Sequence, residues 1–138
     1  MSEEAIESAK AWLRRFLEAW NSADLERVRD ELHYSHVTIG PAGGQVVVVE
    51  TREALQTDFT KLAEVEGWAS SSFDDFTSYA SSPTKVHFET TFKRCRQDGT
   101  VYASGRVLYI VTEQDGRWGM QLRSGVPAGV SNTDGGDR

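Results

Sequence analysis

Three residues in one short span carry the side chains best suited to proton chemistry: His33, Tyr34 and His36. Histidine titrates near neutrality, so one that faces a pocket can serve as general base or acid, with a tyrosine hydroxyl steadying an oxyanion. The span also has His-x-x-His spacing, but a helix end is expected between the two imidazoles and no nearby acid completes a ligand set. No metal or other cofactor is therefore expected. Asp74 and Asp75 are adjacent and must point to opposite faces of a strand. Cys95, the single cysteine, sits between Arg94 and Arg96. It is a weak nucleophile candidate, and one cysteine excludes an internal disulfide framework.

Periodicity outlines the elements that must position these groups. Ser2 caps a helix whose apolar stripe runs through Ile6, Ala9, Trp12, Leu13, Phe16, Leu17 and Trp20 at three- and four-residue steps. A second helix, Ala23 to about His33, starts after a tight corner capped by Asn21 or Ser22 and turns Leu25, Val28 and Leu32 inward. Tyr34–Ile39 and Val46–Val49 read as short strands on either side of Gly40-Pro41-Ala42-Gly43-Gly44. Thr51 caps a third helix bearing Leu55, Phe59, Leu62 and Val65, with Gly67 as its stop, and Phe73–Ser81 opens the long strands.

The rest of the chain is organised around Pro83 to Ser124, which reads as a three-stranded meander turning at Gln97-Asp98-Gly99 and Gln114-Asp115-Gly116. Val86, Phe88 and Phe92 alternate with Lys85, His87, Glu89 and Lys93, and Trp118, Met120 and Leu122 alternate with Gln121 and Arg123. The turns set the middle strand. A three-residue loop closed by a left-handed glycine, the form preferred here, puts Arg106, Leu108 and Ile110 beside Phe88. A two-residue turn would put Val107, Tyr109 and Val111 there instead.

Composition bounds the function. The 138 residues suffice for one domain, read as 1–125, and the Gly, Pro, Ser, Asn and Asp that follow suggest a disordered tail over 126–138. A net charge of −6 with scattered Lys and Arg argues against nucleic acid. No apolar run reaches membrane-span length and the N-terminus lacks the pattern of a signal peptide, so a cytoplasmic location is expected with no membrane partner.

The Trp20-Asn21-Ser22-Ala23-Asp24-Leu25 corner and the Asp115-Gly116-Arg117-Trp118-Gly119-Met120-Gln121-Leu122-Arg123-Ser124 ending resemble the nuclear transport factor 2-like superfamily. Its SnoaL-like and ketosteroid-isomerase-like members, with their cystatin-like α+β roll, are the most similar. The resemblance spans roughly residues 3–125. It implies an α+β, cone-shaped fold of three N-terminal helices wrapped by a curved, mostly antiparallel β-sheet, and a homodimer through the outer sheet face. Lys85, His87, Glu89, Gln121 and Arg123 would lie on that face. The resemblance also implies a pocket inside the cone, lined on this chain by Trp12, Phe16, Tyr34, His36, Phe88, Thr90, Trp118 and, in the preferred register, Arg106. The expected function is binding of an apolar small molecule bearing a carbonyl or carboxylate. The alternative is an isomerase, cyclase or dehydratase with His36 as base and Arg106 or Tyr34 at an oxyanion. The isomerases' catalytic carboxylate aligns with Ile39-Gly40-Pro41, where this chain has none.

Overall fold

The apolar stripe expected near the N-terminus forms α1 (Glu3–Asn21), with Ala5, Ala9, Trp12, Leu13, Phe16 and Ala19 buried along one side. Ser2 caps it, its hydroxyl accepting from the Ala5 backbone N–H at 3.2 Å, and Glu3 and Glu4 complement the positive helix end. This is a computed structural model that describes residues 2–127; residues 128–138, most of the expected tail, lie outside the described residues.

Two expected helices are shorter than the periodicity suggests, because specific tertiary hydrogen bonds outweigh propensity. Helix α2 is capped by Asp24 and runs only Leu25–Arg29. Two residues on, the Glu31 carbonyl accepts from the Trp12 indole and from the Met120 backbone, both at 2.9 Å, and the chain is already extended as β1 (Leu32–Ile39). His33 is therefore a strand residue, not a helix terminus. After β2 (Val46–Val49), Thr51 caps just one 3-10 turn, Arg52–Ala54, because Arg29 takes the carbonyls of Glu53 and Leu55. Asp58 then caps a single α-turn, α3 (Phe59–Lys61), which widens into a π-helical turn over Leu62–Glu66. Gly67 stops it in the left-handed region at φ 79°.

The expected strand Phe73–Ser81 is split into β3 (Ser70–Phe73) and β4 (Thr77–Ser82). Between them the Asp75 carboxylate accepts from the Thr91 backbone N–H at 3.0 Å, so a side chain does the pairing there. Then come β5 (Lys85–Cys95), β6 (Val101–Gln114) and β7 (Arg117–Pro127). β7 takes in the first two residues of the expected tail, with Val126 and Pro127 opposite Arg106 and Gly105.

The strands form one seven-stranded sheet in the order β2-β1-β7-β6-β5, with β3 and β4 both on the far edge of β5. All pairs are antiparallel except β1 with β7, which is parallel, so the sheet is mostly antiparallel as expected. Helix α1 covers one face. The Trp12 ring stacks on Phe16 at 5.1 Å and meets Tyr109 edge-on at 5.4 Å, while Phe88 is fully buried beneath. Among the described residues no helix is long and apolar enough to cross a membrane.

Candidate functional site

Two β-bulges decide which side chains face α1. The β5–β6 turn is the preferred three-residue loop: Arg96 N–H donates to the Thr100 carbonyl at 2.8 Å and Gly99 has φ 91°. One residue into β6, however, Tyr102 is an extra residue, for Cys95 opposes Val101 while Arg94 opposes Ala103. That single insertion reverses the rest of the strand. Tyr109 stands opposite Phe88 and Val111 opposite Val86, all buried, and Arg106 goes to the open face. The β6–β7 turn, in contrast, is not the preferred three-residue form but a two-residue one, with Asp115 and Gly116 both at positive φ (54° and 81°), a conformation that Asp-Gly also suits. Here Gln121 is the extra residue, between the pairs Val111–Met120 and Ile110–Leu122. Leu122 is thereby turned to the open face, and Arg123 comes inside opposite Tyr109.

The result is a cavity of about 260 Å³ between α1 and the sheet. Its apolar wall comes from Phe16, Leu17 and Trp20 of α1, Val28 of α2, Leu55, and Phe73, Phe92 and Met120 of the sheet. Its polar groups follow one rung of the sheet: Tyr109 of β6 opposes Arg123 of β7, which opposes Thr38 of β1. His36 joins them, its Nε2 3.0 Å from Thr38 Oγ1. Arg94 also lines the cavity, as do Ser71 and Thr57, and among the described residues no Asp or Glu does.

Burial governs the electrostatics of these groups. His36 is 3% exposed, and burial pushes its pKa down to about 4; the Met120 and Gln121 backbones pull it up and the Arg123 charge pushes it further down. Its ring is neutral at pH 7, and Nδ1 has no hydrogen-bond partner among the described residues. Burial raises the Tyr109 pKa, with Arg123 opposing the rise, so the phenol keeps its proton. The Arg123 guanidinium lies over the Phe92 ring, 5.7 Å from its centroid, and forms no ion pair among the described residues. Arg94 is committed: its Nη1 is 3.0 Å from a Glu66 oxygen that also accepts from Tyr102 at 2.8 Å.

Residues 3–122 match the family described as NTF2-like protein (DUF6841). The chain belongs to that family. Solved structures agree on the fold of this NTF2-like protein. A cystatin-like-fold protein of unknown function from Nostoc punctiforme superposes with a TM-score of 0.71 at 13% identity, covering 92% of this chain and 93% of that one. An NTF2-like protein from Cytophaga hutchinsonii gives 0.64 at 18%, covering 92% and 99%. A ketosteroid isomerase-like protein from Erwinia carotovora atroseptica gives 0.62 at 17%, covering 91% and 98%. No curated protein matches the sequence.

The cavity of this NTF2-like protein brings together only part of the expected set. His36 and Phe16 line it. Trp12 and Phe88 are core residues beneath it, and Thr90 is fully buried with its hydroxyl unpartnered. Trp118 and Tyr34 instead border a separate depression with Arg15, Arg29, Arg52 and Arg117. Tyr34 donates to the Arg29 carbonyl at 3.0 Å there, so it does not stand beside His36. His33 lies on the opposite face of β1, its ring filling the room left by Gly119 and its Nε2 2.9 Å from the Arg117 carbonyl. Arg106, expected inside, is on the open face, and Arg123, expected on the outer face, is inside, each because of a bulge that no residue type announces. Among the described residues no group of three or more His, Cys, Asp or Glu could hold a metal.

Proposed function

We propose that this NTF2-like protein binds an apolar small molecule bearing a carbonyl or carboxylate in the cavity between α1 and the sheet. The observation that carries this reading is the polar rung Tyr109–Arg123–Thr38, with His36 beside it, facing a wall built mainly of aromatic and aliphatic side chains. A concave apolar site with a few convergent polar groups is the usual form of a ligand pocket. Native mass spectrometry of the freshly purified chain tests it. A copurified small molecule carrying an oxygen-bearing head is expected. Ligand-free protein that also gains no thermal stability from any apolar acid or ketone would overturn the reading.

An isomerase, cyclase or dehydratase is the second reading, favoured by His36 and Tyr109 lining one cavity. Its base would be a neutral imidazole with a pKa of about 4, a weak acceptor, and the lining holds no carboxylate to do the work instead. A ketone that exchanges its α-protons with D2O in wild type but not in His36→Ala would favour it over simple binding.

The partner we propose is a second copy of the chain across the open face. Val48, Val37, Leu122 and Ile110 form one apolar rung across four strands, with Ile39 and Leu108 beside it, and none is covered by a helix. Glu89 and Arg106, already paired with each other at 3.0 Å, lie at the border of this stripe and give it a polar rim. Light scattering at tens of micromolar should give twice the chain mass; a monomer there would remove this partner.

A further inference from the structure

We infer that the cavity selects an ionised monocarboxylate, with Arg123 as the residue that makes the selection. The inference rests on the binding reading above and narrows its carbonyl-or-carboxylate head to one chemistry.

Charge balance is the first ground. In a chain of net charge −6, the cavity lining contains, among the described residues, two arginines and no acid. One arginine is already neutralised, since Arg94 is paired with Glu66 and that carboxylate is further held by Tyr102. The remaining positive charge belongs to Arg123, which lies over the face of Phe92 and beside the Tyr109 phenol and has no ion-pair partner among the described residues. A cation partly withdrawn from water gains most from an anion that reaches it. One uncompensated cation calls for one negative charge; a second would enter an apolar wall with nothing to meet it.

The donor pattern is the second ground. A guanidinium offers only N–H groups, and the protonated Tyr109 offers an O–H on the same rung. Together they suit a head that only accepts and has two oxygens, which is a carboxylate. A ketone would engage one donor and leave the charge as it was.

The third ground is that the fold positions this residue. The extra residue Gln121 swings Arg123 inward, and its side-chain amide is tied on the open face to the Ser35 carbonyl at 2.6 Å and, through its oxygen, to Thr112 at 3.0 Å. Gly105 leaves the space that the Phe92 ring occupies, since a Cβ there would come within 2.6 Å of that ring. Phe92 is thus held where it supports the guanidinium from behind. The nearby Arg94 lies over the same ring at 5.8 Å but is tethered away by Glu66.

Calorimetric titration of the full chain at pH 7 tests the inference with matched probes: 4-phenylbutyrate, its neutral amide, octanoate, octanamide and the dianion phenylsuccinate. The acids should bind at least tenfold more tightly than their amides, and phenylsuccinate more weakly than phenylbutyrate. Arg123→Met should weaken acid binding about 10–100-fold and amide binding much less, so that the acid-to-amide ratio collapses. Arg123→Lys, which keeps the charge, should retain part of the preference. Arg94→Met should leave the acid-to-amide ratio intact. Acids and amides that bind equally, or a preference that survives Arg123→Met in folded protein, would overturn the inference while leaving the cavity a binding site. If no probe binds, acid or amide, the inference and the binding reading fall together.

Discussion

Arg106 and Arg123 lie on neighbouring strands and face opposite ways, and their surroundings differ as much as their directions. On the open face Arg106 is engaged by two carboxylates: Nη1 meets both Asp75 oxygens at 2.8 Å and Thr91 Oγ1 at 3.0 Å, and Nε meets Glu89 at 3.0 Å. On the helix-covered face Arg123 meets an aromatic ring and a phenol. The first arginine is matched within the chain and ties β6 to β5 and to the break between β3 and β4. The second has no ion-pair partner among the described residues. An arginine completed by its own chain is a structural device; under the proposed function, the one at the cavity is where the ligand's head would sit.

The largest expected effect comes from disturbing what separates the two faces. In Gly105→Ala the new Cβ would lie 2.7 Å from the Val126 carbonyl oxygen as well as against the Phe92 ring. Backbone cannot swing aside, so we expect a loss of about 2–3 kcal/mol, measured by urea denaturation. A variant as stable as wild type would show that β6 and β7 can part at no cost and that Phe92 does not fix Arg123.

Acid titration gives an effect of similar or smaller size confined to the covered face. The His36 pKa is depressed in the folded chain, so protons favour the unfolded state. Its contribution to stability is complete above about pH 6.5 and is lost as the pH falls from there to about 4, on the order of 3 kcal/mol in all. His36→Gln should flatten that part of the stability profile. An unchanged slope between pH 6.5 and 4 would mean that His36 is solvated rather than buried.

The smallest effects compare the arginines directly. Arg106→Met should cost about 1 kcal/mol, since its network is partly exposed. Arg123→Met should cost nothing in the absence of ligand and leave the melting temperature the same or slightly higher. If instead the inner substitution destabilises and the outer one does not, the roles assigned to the two residues are reversed.

Much of this arrangement was legible in the sequence. The α1 stripe, the Ser2 cap, the order of elements and the meander follow from periodicity and turn chemistry, and they led to the right family. The β5–β6 loop was also read correctly, down to its left-handed Gly99. What failed was the inference from loop to face. Tyr102 and Gln121 each insert one residue into a strand, and a period-two pattern reverses beyond such a point. Neither site has a glycine or proline to betray it. The buried Tyr109 could have been found by asking which register spares Arg106 from the core beside Phe88, Val86 and Trp12, but that rule points away from the inward Arg123, which only the Gln121 bulge explains. The helix lengths failed for another reason, because Glu31 and Arg29 make bonds to partners far along the chain that no local window contains.

The parallel pairing of β1 with β7 has a consequence for how the protein comes to exist. Thr38 and Arg123 are neighbours on one rung, yet the whole meander intervenes between them in the chain. Such distant contacts carry a large closure entropy and form late, after local hairpins have supplied a surface to dock on. Until β7 settles beside β1, β5 and β6 can pair but the cavity has no far wall. A ligand that prefers the finished wall should therefore slow unfolding far more than it speeds folding, acting as a clasp on the last step of assembly.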